Sequence, residues 1–136
     1  MPRTNKKTKD FIRTLGRRKR AVARLRFFKG KGQTLVNDVP IEQYFKDISS
    51  IYYFKPFDLT KTTGKYYATV RVEGGGRMGQ LGAFVLALSR ALVQTDENFR
   101  KTLRTAGLMT RDPRERERRK FGLAQSARAR KQSPKR

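Results

Sequence analysis

Cysteine, histidine and tryptophan are absent from this chain of 136 residues. Without cysteine there is no disulfide framework, no thiol nucleophile and no thiolate zinc site. Without histidine, Ser-His-Asp catalysis and imidazole metal ligation are excluded. Acidic residues are scarce: 11 Asp and Glu stand against 34 Lys and Arg, for a formal net charge of +23. Long apolar runs are missing too. Nothing approaches the ~18 consecutive apolar residues of a membrane span. The first ten residues, MPRTNKKTKD, lack the apolar middle of a secretory signal. Apolar residues are only 36% of the chain, against the ~45–50%, glycine included, of an ordinary soluble domain. A core can form, but not from the whole chain. These absences point to a cytoplasmic protein with no membrane span, no cofactor and no metal, although an organellar origin stays open.

What is present is positive charge, and it implies a polyanionic partner, because self-repulsion at this level opposes compaction unless counter-charge is supplied. Nucleic acid supplies it most densely; an anionic membrane surface comes second. The charge is concentrated at the ends. Residues 1–26 hold 11 Lys/Arg against one acid, residues 27–110 hold 12 against 7, and residues 111–136 hold 11 against 3. The expected organisation is a basic extension over 1–10, a globular domain over 11–110 and an extended basic tail over 111–136. Basic arms fold poorly alone but lie well along phosphate backbones.

Alternation over Lys19–Phe28 predicts a half-buried strand, with Ala21, Ala23, Leu25 and Phe27 inward and Arg20, Arg24 and Arg26 as an outward ladder. Lys29–Gly32 reads as a hairpin loop and Gln33–Asn37 as the return strand. Asn37-Asp38 marks a turn, and Pro40 suits the first turn of a helix. Two spacings of i, i+3, i+4 (Ile41, Tyr44, Phe45; Ile48, Ile51, Tyr52) predict one or two short helices ended by Pro56. A third strand covers Lys65–Glu73, with Tyr66, Ala68, Val70 and Val72 on one face and Tyr67, Thr69 and Arg71 on the other. A helix over about 78–94 carries the stripe Leu81, Phe84, Val85, Leu88, Leu92, widened by Ala83, Ala87 and Ala91, and is the most buried one. Thr95 or Asp96 caps a short helix with Phe99 and Leu103, stopped by Gly107. The order predicts an α+β fold, a two-layer α/β sandwich with a small sheet and helices on one face. Arg114–Lys120 is helical only if something neutralises it.

No catalytic constellation is visible. Asp112, Glu115 and Glu117 read as i, i+3 or i+4 partners of neighbouring arginines, and Asp38, Glu42, Asp96 and Glu97 as helix-start charges. Gly74–Gly82, GGGRMGQLG, follows a strand and opens a helix. It lacks the Lys-Ser/Thr of a P-loop. It reads either as a tight crossover or as a close backbone approach to RNA beside Arg77 and Gln80, and only distantly as a nucleotide cofactor site. The run Arg17, Arg18, Lys19, Arg20 reads as phosphate contact. Tyr52, Tyr53, Phe54 and Phe57 read as core or docking surface rather than a base-stacking platform. Ala124–Arg136 has no aliphatic residue larger than Ala and cannot build a core. It is either a disordered tail or a thin probe threaded through folded RNA.

Several segments together resemble one family. They are Gly16-Arg17-Arg18-Lys19 with Ala21-Val22-Ala23-Arg24; Val36-Asn37 with Ile41–Phe45; Gly74–Gly76 with Gly79–Ala83 and Ser89–Leu92; Gly107–Asp112 with Glu117–Leu123; and Ala127–Lys131 before a Lys135-Arg136 end. In this order, from about Gly16 onward, they resemble ribosomal protein S nine, the universal small-subunit protein in its bacterial type. The resemblance implies a two-layer α/β domain in the head of the small ribosomal subunit, non-enzymatic, with small-subunit rRNA, peptidyl-site tRNA and neighbouring head proteins as partners and no small-molecule substrate. The rRNA contacts then fall to Arg17, Arg18, Lys19, Arg20, Arg24, Arg26 and Arg77, and to Arg111, Arg114, Arg118, Arg119, Lys120 and Arg128. The tRNA contacts fall to Arg130, Lys131, Lys135 and Arg136. Two departures stand out. Family tails carry an aromatic residue before a Ser-Lys-Arg end, where this chain has Gln132-Ser133-Pro134-Lys135-Arg136, and Ser49–Lys65 is unlike typical members.

Overall fold

The computed structural model describes residues 11–123 together with Ala127 and Arg128. Nine elements follow in order: β1 (Ile12–Arg18), β2 (Ala21–Lys29), β3 (Leu35–Val36), β4 (Val39–Pro40), α1 (Ile41–Tyr44), α2 (Ser50–Thr60), β5 (Tyr66–Glu73), α3 (Arg77–Thr95) and α4 (Phe99–Thr105). The strands form one sheet in the order β1-β2-β5-β3-β4. Helices cover one face, giving the expected α+β two-layer sandwich. No described helix is long and apolar enough to cross a membrane.

The inward face of β2 is Ala21, Ala23, Leu25 and Phe27, all buried, as the alternation predicts. Ala68, Val70 and Val72 of β5 continue it. α3 supplies the opposite wall with Leu81, Phe84, Leu88 and Leu92 and the buried alanines 83, 87 and 91, and it is the most buried helix. Contact between α3 and β1 is close enough to exclude a side chain. A Cβ on Gly16 would lie 2.0 Å from the Ala83 carbonyl oxygen and 2.7 Å from the Ala87 nitrogen. The Thr14 hydroxyl donates to the Ala87 carbonyl at 2.8 Å, and Arg90 Nη1 donates to the Leu15 carbonyl at 2.6 Å. The latter bond satisfies a backbone acceptor on the sheet's edge strand.

The fold corrects several expectations. Ile12–Arg18 is a strand that the hydrophobic pattern does not announce, since its inward positions include Thr14, Gly16 and Arg18. Gln33–Asn37 does not return along β2: both edges of β2 are occupied, by β1 and β5 in long antiparallel registers. β3 instead pairs in parallel with β5 and antiparallel with β4, through a turn whose Asn37 and Asp38 have φ of 50° and 66°, the left-handed pair that two-residue hairpins favour. Pro56 lies inside α2 rather than ending it. Proline removes one helical N–H, but Pro56, Tyr53 and Phe57 are buried there, and that apolar burial offsets the lost bond. Ile51 and Tyr52, expected on the apolar stripe, are exposed. Arg114–Lys120 is irregular, not helical; Pro113 precedes it and cations crowd it. The last short helix is capped differently as well: its N-cap is Asn98, and the Asp96 carboxylate accepts the Asn98 N–H at 3.0 Å. It stops at Gly107, where the Leu108 N–H bonds the Leu103 carbonyl at 3.0 Å.

Substituting Gly16 by Val forces α3 away from β1. The urea unfolding midpoint should drop by an amount corresponding to about 1–3 kcal/mol, the usual cost of overpacking. Gly82→Ala should cost less. Its Cβ would meet the Arg18 side chain at 2.1 Å, and that chain is flexible and only half-buried. Equal midpoints for Gly16→Val and the parent protein would contradict this packing.

Candidate nucleic-acid interface

One face of the sheet is left open by the helices, and it gathers arginines from three strands. Arg13 of β1 stands opposite Arg26 of β2, and Arg24 of β2 stands opposite Arg71 of β5. All four are exposed. Like charges directly opposite each other in a sheet are destabilising, so this arrangement costs folding energy unless an anion bridges the pairs. The four side chains surround a depression of about 720 Å³ that also takes in Thr69 and the Asn37-Asp38 turn. Among the described residues, no carboxylate forms an ion pair with any of the four. Arg13 and Arg26 instead lie over the Phe11 ring, with Cζ at 5.0 and 5.5 Å from its centroid. Phe11 leans on Phe28 at 5.5 Å, and Phe28 stacks on Tyr67 at 5.1 Å. This aromatic row closes one end of the arginine field.

A second set of arginines is already held by acids. Arg114 Nη2 donates to Asp112 Oδ2 at 2.7 Å, and its Nε reaches both Asp112 oxygens at 2.9 and 3.0 Å. Arg18 approaches the same carboxylate at 3.9 Å. Arg20 Nε donates to Glu115 at 3.3 Å, and Arg128 Nη2 donates to Glu117 at 2.6 Å. Arg77 pairs with Asp47. The hydrogen bonds from Arg114 hold the Asp112 carboxyl far below the usual carboxylate range, and those from Arg128 pull Glu117 down. These acids do partner arginines, but not at helical spacing: two of the pairs reach 95 and 11 residues along the chain.

The remaining basic residues divide by place. Arg17 is exposed at the end of β1, and Lys19 sits at the exposed β1–β2 turn. Arg111, Arg118, Arg119 and Lys120 are exposed along the irregular segment after α4. Arg130, Lys131, Lys135 and Arg136 lie outside the described residues, as does the extension over 1–10. Arg13, Arg71 and the aromatic row escape a reading based on charge runs. Arg71 stands on the predicted outward face of its strand, and that position is the one signal that selects it.

The Gly74–Gly82 stretch is a tight strand-to-helix crossover. A Cβ on Gly74 (φ 76°) would lie 2.7 Å from the Arg20 carbonyl oxygen. Gln80 is engaged within the protein: its Oε1 accepts from the Tyr44 hydroxyl at 2.7 Å, and its Nε2 donates to the Gly74 carbonyl at 3.1 Å. Of the aromatic group on α2, Tyr53 and Phe57 are core, Phe54 is half-buried and Tyr52 is exposed.

An α+β sandwich with an uncovered arginine face and a carboxylate-clamped basic segment is a strongly basic scaffold that presents cations. The chain belongs to a family of that kind, ribosomal protein S9/S16, whose model matches residues 16–136. This is a structural family and not one of enzymes. Two relatives are both named small ribosomal subunit protein uS9. One, from Chlorobaculum parvum, is 48% identical, and one from Chlorobium limicola is 46% identical. Each alignment covers 115 residues, 84% of this chain and 89% of the relative.

The clamp on Asp112 predicts a pH dependence. A carboxyl whose folded pKa is depressed contributes stability above its unfolded pKa, near 4, and loses it as pH falls through the folded value. In a carboxyl carbon NMR titration, Asp112 should stay ionised well below pH 4. Arg114→Ala should raise its midpoint toward the ordinary carboxylate value. An unchanged midpoint in that variant would show that Arg114 is not the clamp.

Proposed function

We propose that this protein is a structural constituent of the small ribosomal subunit, in its head and in the cytoplasm. It binds small-subunit rRNA, and its C-terminal tail touches peptidyl-site tRNA. One observation carries the rRNA reading: Arg13, Arg24, Arg26 and Arg71 form a cationic field on an open sheet face with no carboxylate partner among the described residues. Phosphates bridging the opposed pairs would relieve their repulsion, and such contacts fix a protein's position on RNA without reading sequence. Arg17, Lys19, Arg111, Arg118, Arg119 and Lys120 extend the field. Arg18, Arg20, Arg77, Arg114 and Arg128 contribute after exchanging a carboxylate for a phosphate. Family membership supports the ribosomal setting, and the names of the relatives place them in the small subunit.

The tail reading rests on residues 124–136, which combine small side chains with Arg128, Arg130, Lys131, Lys135 and Arg136 and contain no acid. Pro134 biases Ser133 toward an extended backbone, which suits a thin probe. Lys135 and Arg136 then approach the tRNA backbone, with Arg130 and Lys131 behind them.

Sedimentation of tagged protein through a high-salt gradient tests both parts. Loose polycation binding falls by roughly 10³–10⁵ between 50 and 200 mM salt for ~6–10 phosphate contacts. The full chain should stay with the small subunit in stoichiometric amount. Deletion of residues 133–136 should leave that incorporation intact and weaken tRNA binding at the peptidyl site in filter-binding assays. Release of the full chain to the top of the gradient would contradict the ribosomal role. Loss of incorporation on the deletion would contradict the division of labour between domain and tail.

A further inference from the structure

On the helical side, α2 is apolar in two directions. Tyr53, Pro56 and Phe57 face the core, while Ile51 and Tyr52 are 70% and 59% exposed. Met78, in the first turn of α3, is 52% exposed. A helix that is apolar on opposite sides is ordinarily covered on both. Tyr52 and Met78 open into a groove of about 370 Å³ floored by Leu81 and Val85 and rimmed by Arg17 and Lys55. Its far wall is the segment after α4, where Asp112 is committed to Arg114. From Met78 to Val85 the floor spans about 10 Å of helix, which matches two turns of a helix laid across it.

We infer that this groove docks an acidic amphipathic segment of a neighbouring protein, aliphatic on the side facing Met78 and Val85 and carboxylate-bearing along the rim facing Arg17 and Lys55. The inference deepens the proposed subunit role and rests on it, since it specifies where and by what chemistry a protein neighbour is engaged. Charge complementarity selects the occupant. A second copy of this chain, at +23, would be repelled. RNA would gain little from an aliphatic floor, because its backbone seeks cations and its bases seek flat aromatic faces. An acidic amphipathic segment satisfies the floor and the rim together.

A photoreactive benzophenone side chain in place of Tyr52, in the full-length protein, tests this inside the particle. Small subunits carrying the labelled protein are isolated by sedimentation, irradiated and mapped by mass spectrometry. The expected result is a crosslink to another protein, within a segment whose aliphatic residues recur at i, i+3 and i+4 with acidic residues beside them. Lys55→Glu, at a rim residue outside the RNA-contacting set, should lower its yield severalfold without releasing the labelled chain. A crosslink to rRNA, to a basic segment or to a second copy overturns the inference, as does no crosslink from incorporated protein or a yield insensitive to the charge reversal. If the position-52 label blocks incorporation, the same label at Met78 gives the same reading. Failure of the unlabelled parent protein to sediment with the subunit defeats the ribosomal role itself, and this inference with it.

Discussion

The approach of α3 onto β1 at Gly16 is the contact on which the rest of the molecule depends. Backbone meets backbone there, with Ala83 and Ala87 on the helix and no room for a Cβ on the strand. Ala21 and Ala23 of β2 and Ala91 of α3 are likewise fully buried. Small residues on both layers let the helix lie close, so that larger side chains such as Phe84, Leu88 and Leu92 fill the core around that contact. With one sheet face so tightly covered, most of the apolar inventory of a basic chain is used behind the sheet. The other face is left to arginines and the row of Phe11, Phe28 and Tyr67.

That division explains how a domain with so little apolar content carries so much charge. Arginines in opposed pairs on the open face repel one another, and close packing behind the sheet offsets the cost. The remaining acids are spent elsewhere. Asp112, Glu115 and Glu117 clamp Arg114, Arg20 and Arg128, holding an irregular segment that has little backbone hydrogen bonding of its own. Individually such surface pairs are weak in water, and in the proposed role phosphate displaces them. The protein therefore presents one cationic field ready for anions and a second whose arginines are provisionally occupied by its own carboxylates.

Much of this was legible in the residues. The alternations in β2 and β5 and the wide stripe of α3 predicted the two layers and the inward residues, because each element buries one face at its own period. β1 was not legible, because hydrogen bonding and close approach, rather than hydrophobicity, hold Thr14 and Gly16 in place. The partner of β3 was hidden for another reason: strand adjacency depends on which edges are free, a property of the whole sheet. Pro56 misled because tertiary burial outweighed a local preference. Of the site, charge runs revealed Arg17–Arg20 and the ladder of Arg24 and Arg26. Arg13 and Arg71 are isolated in sequence and join the field only through strand register.

In the proposed role the open sheet face meets RNA before the clamped arginines do. Side-chain NMR of the arginine Nε–H groups during titration with a small-subunit rRNA fragment tests it directly. The account predicts that Arg24, Arg26 and Arg71 shift first and saturate together, with Arg20 and Arg114 following as their carboxylate partners are displaced. Arg20 and Arg114 shifting first, or all arginines moving in parallel without saturation, would contradict it.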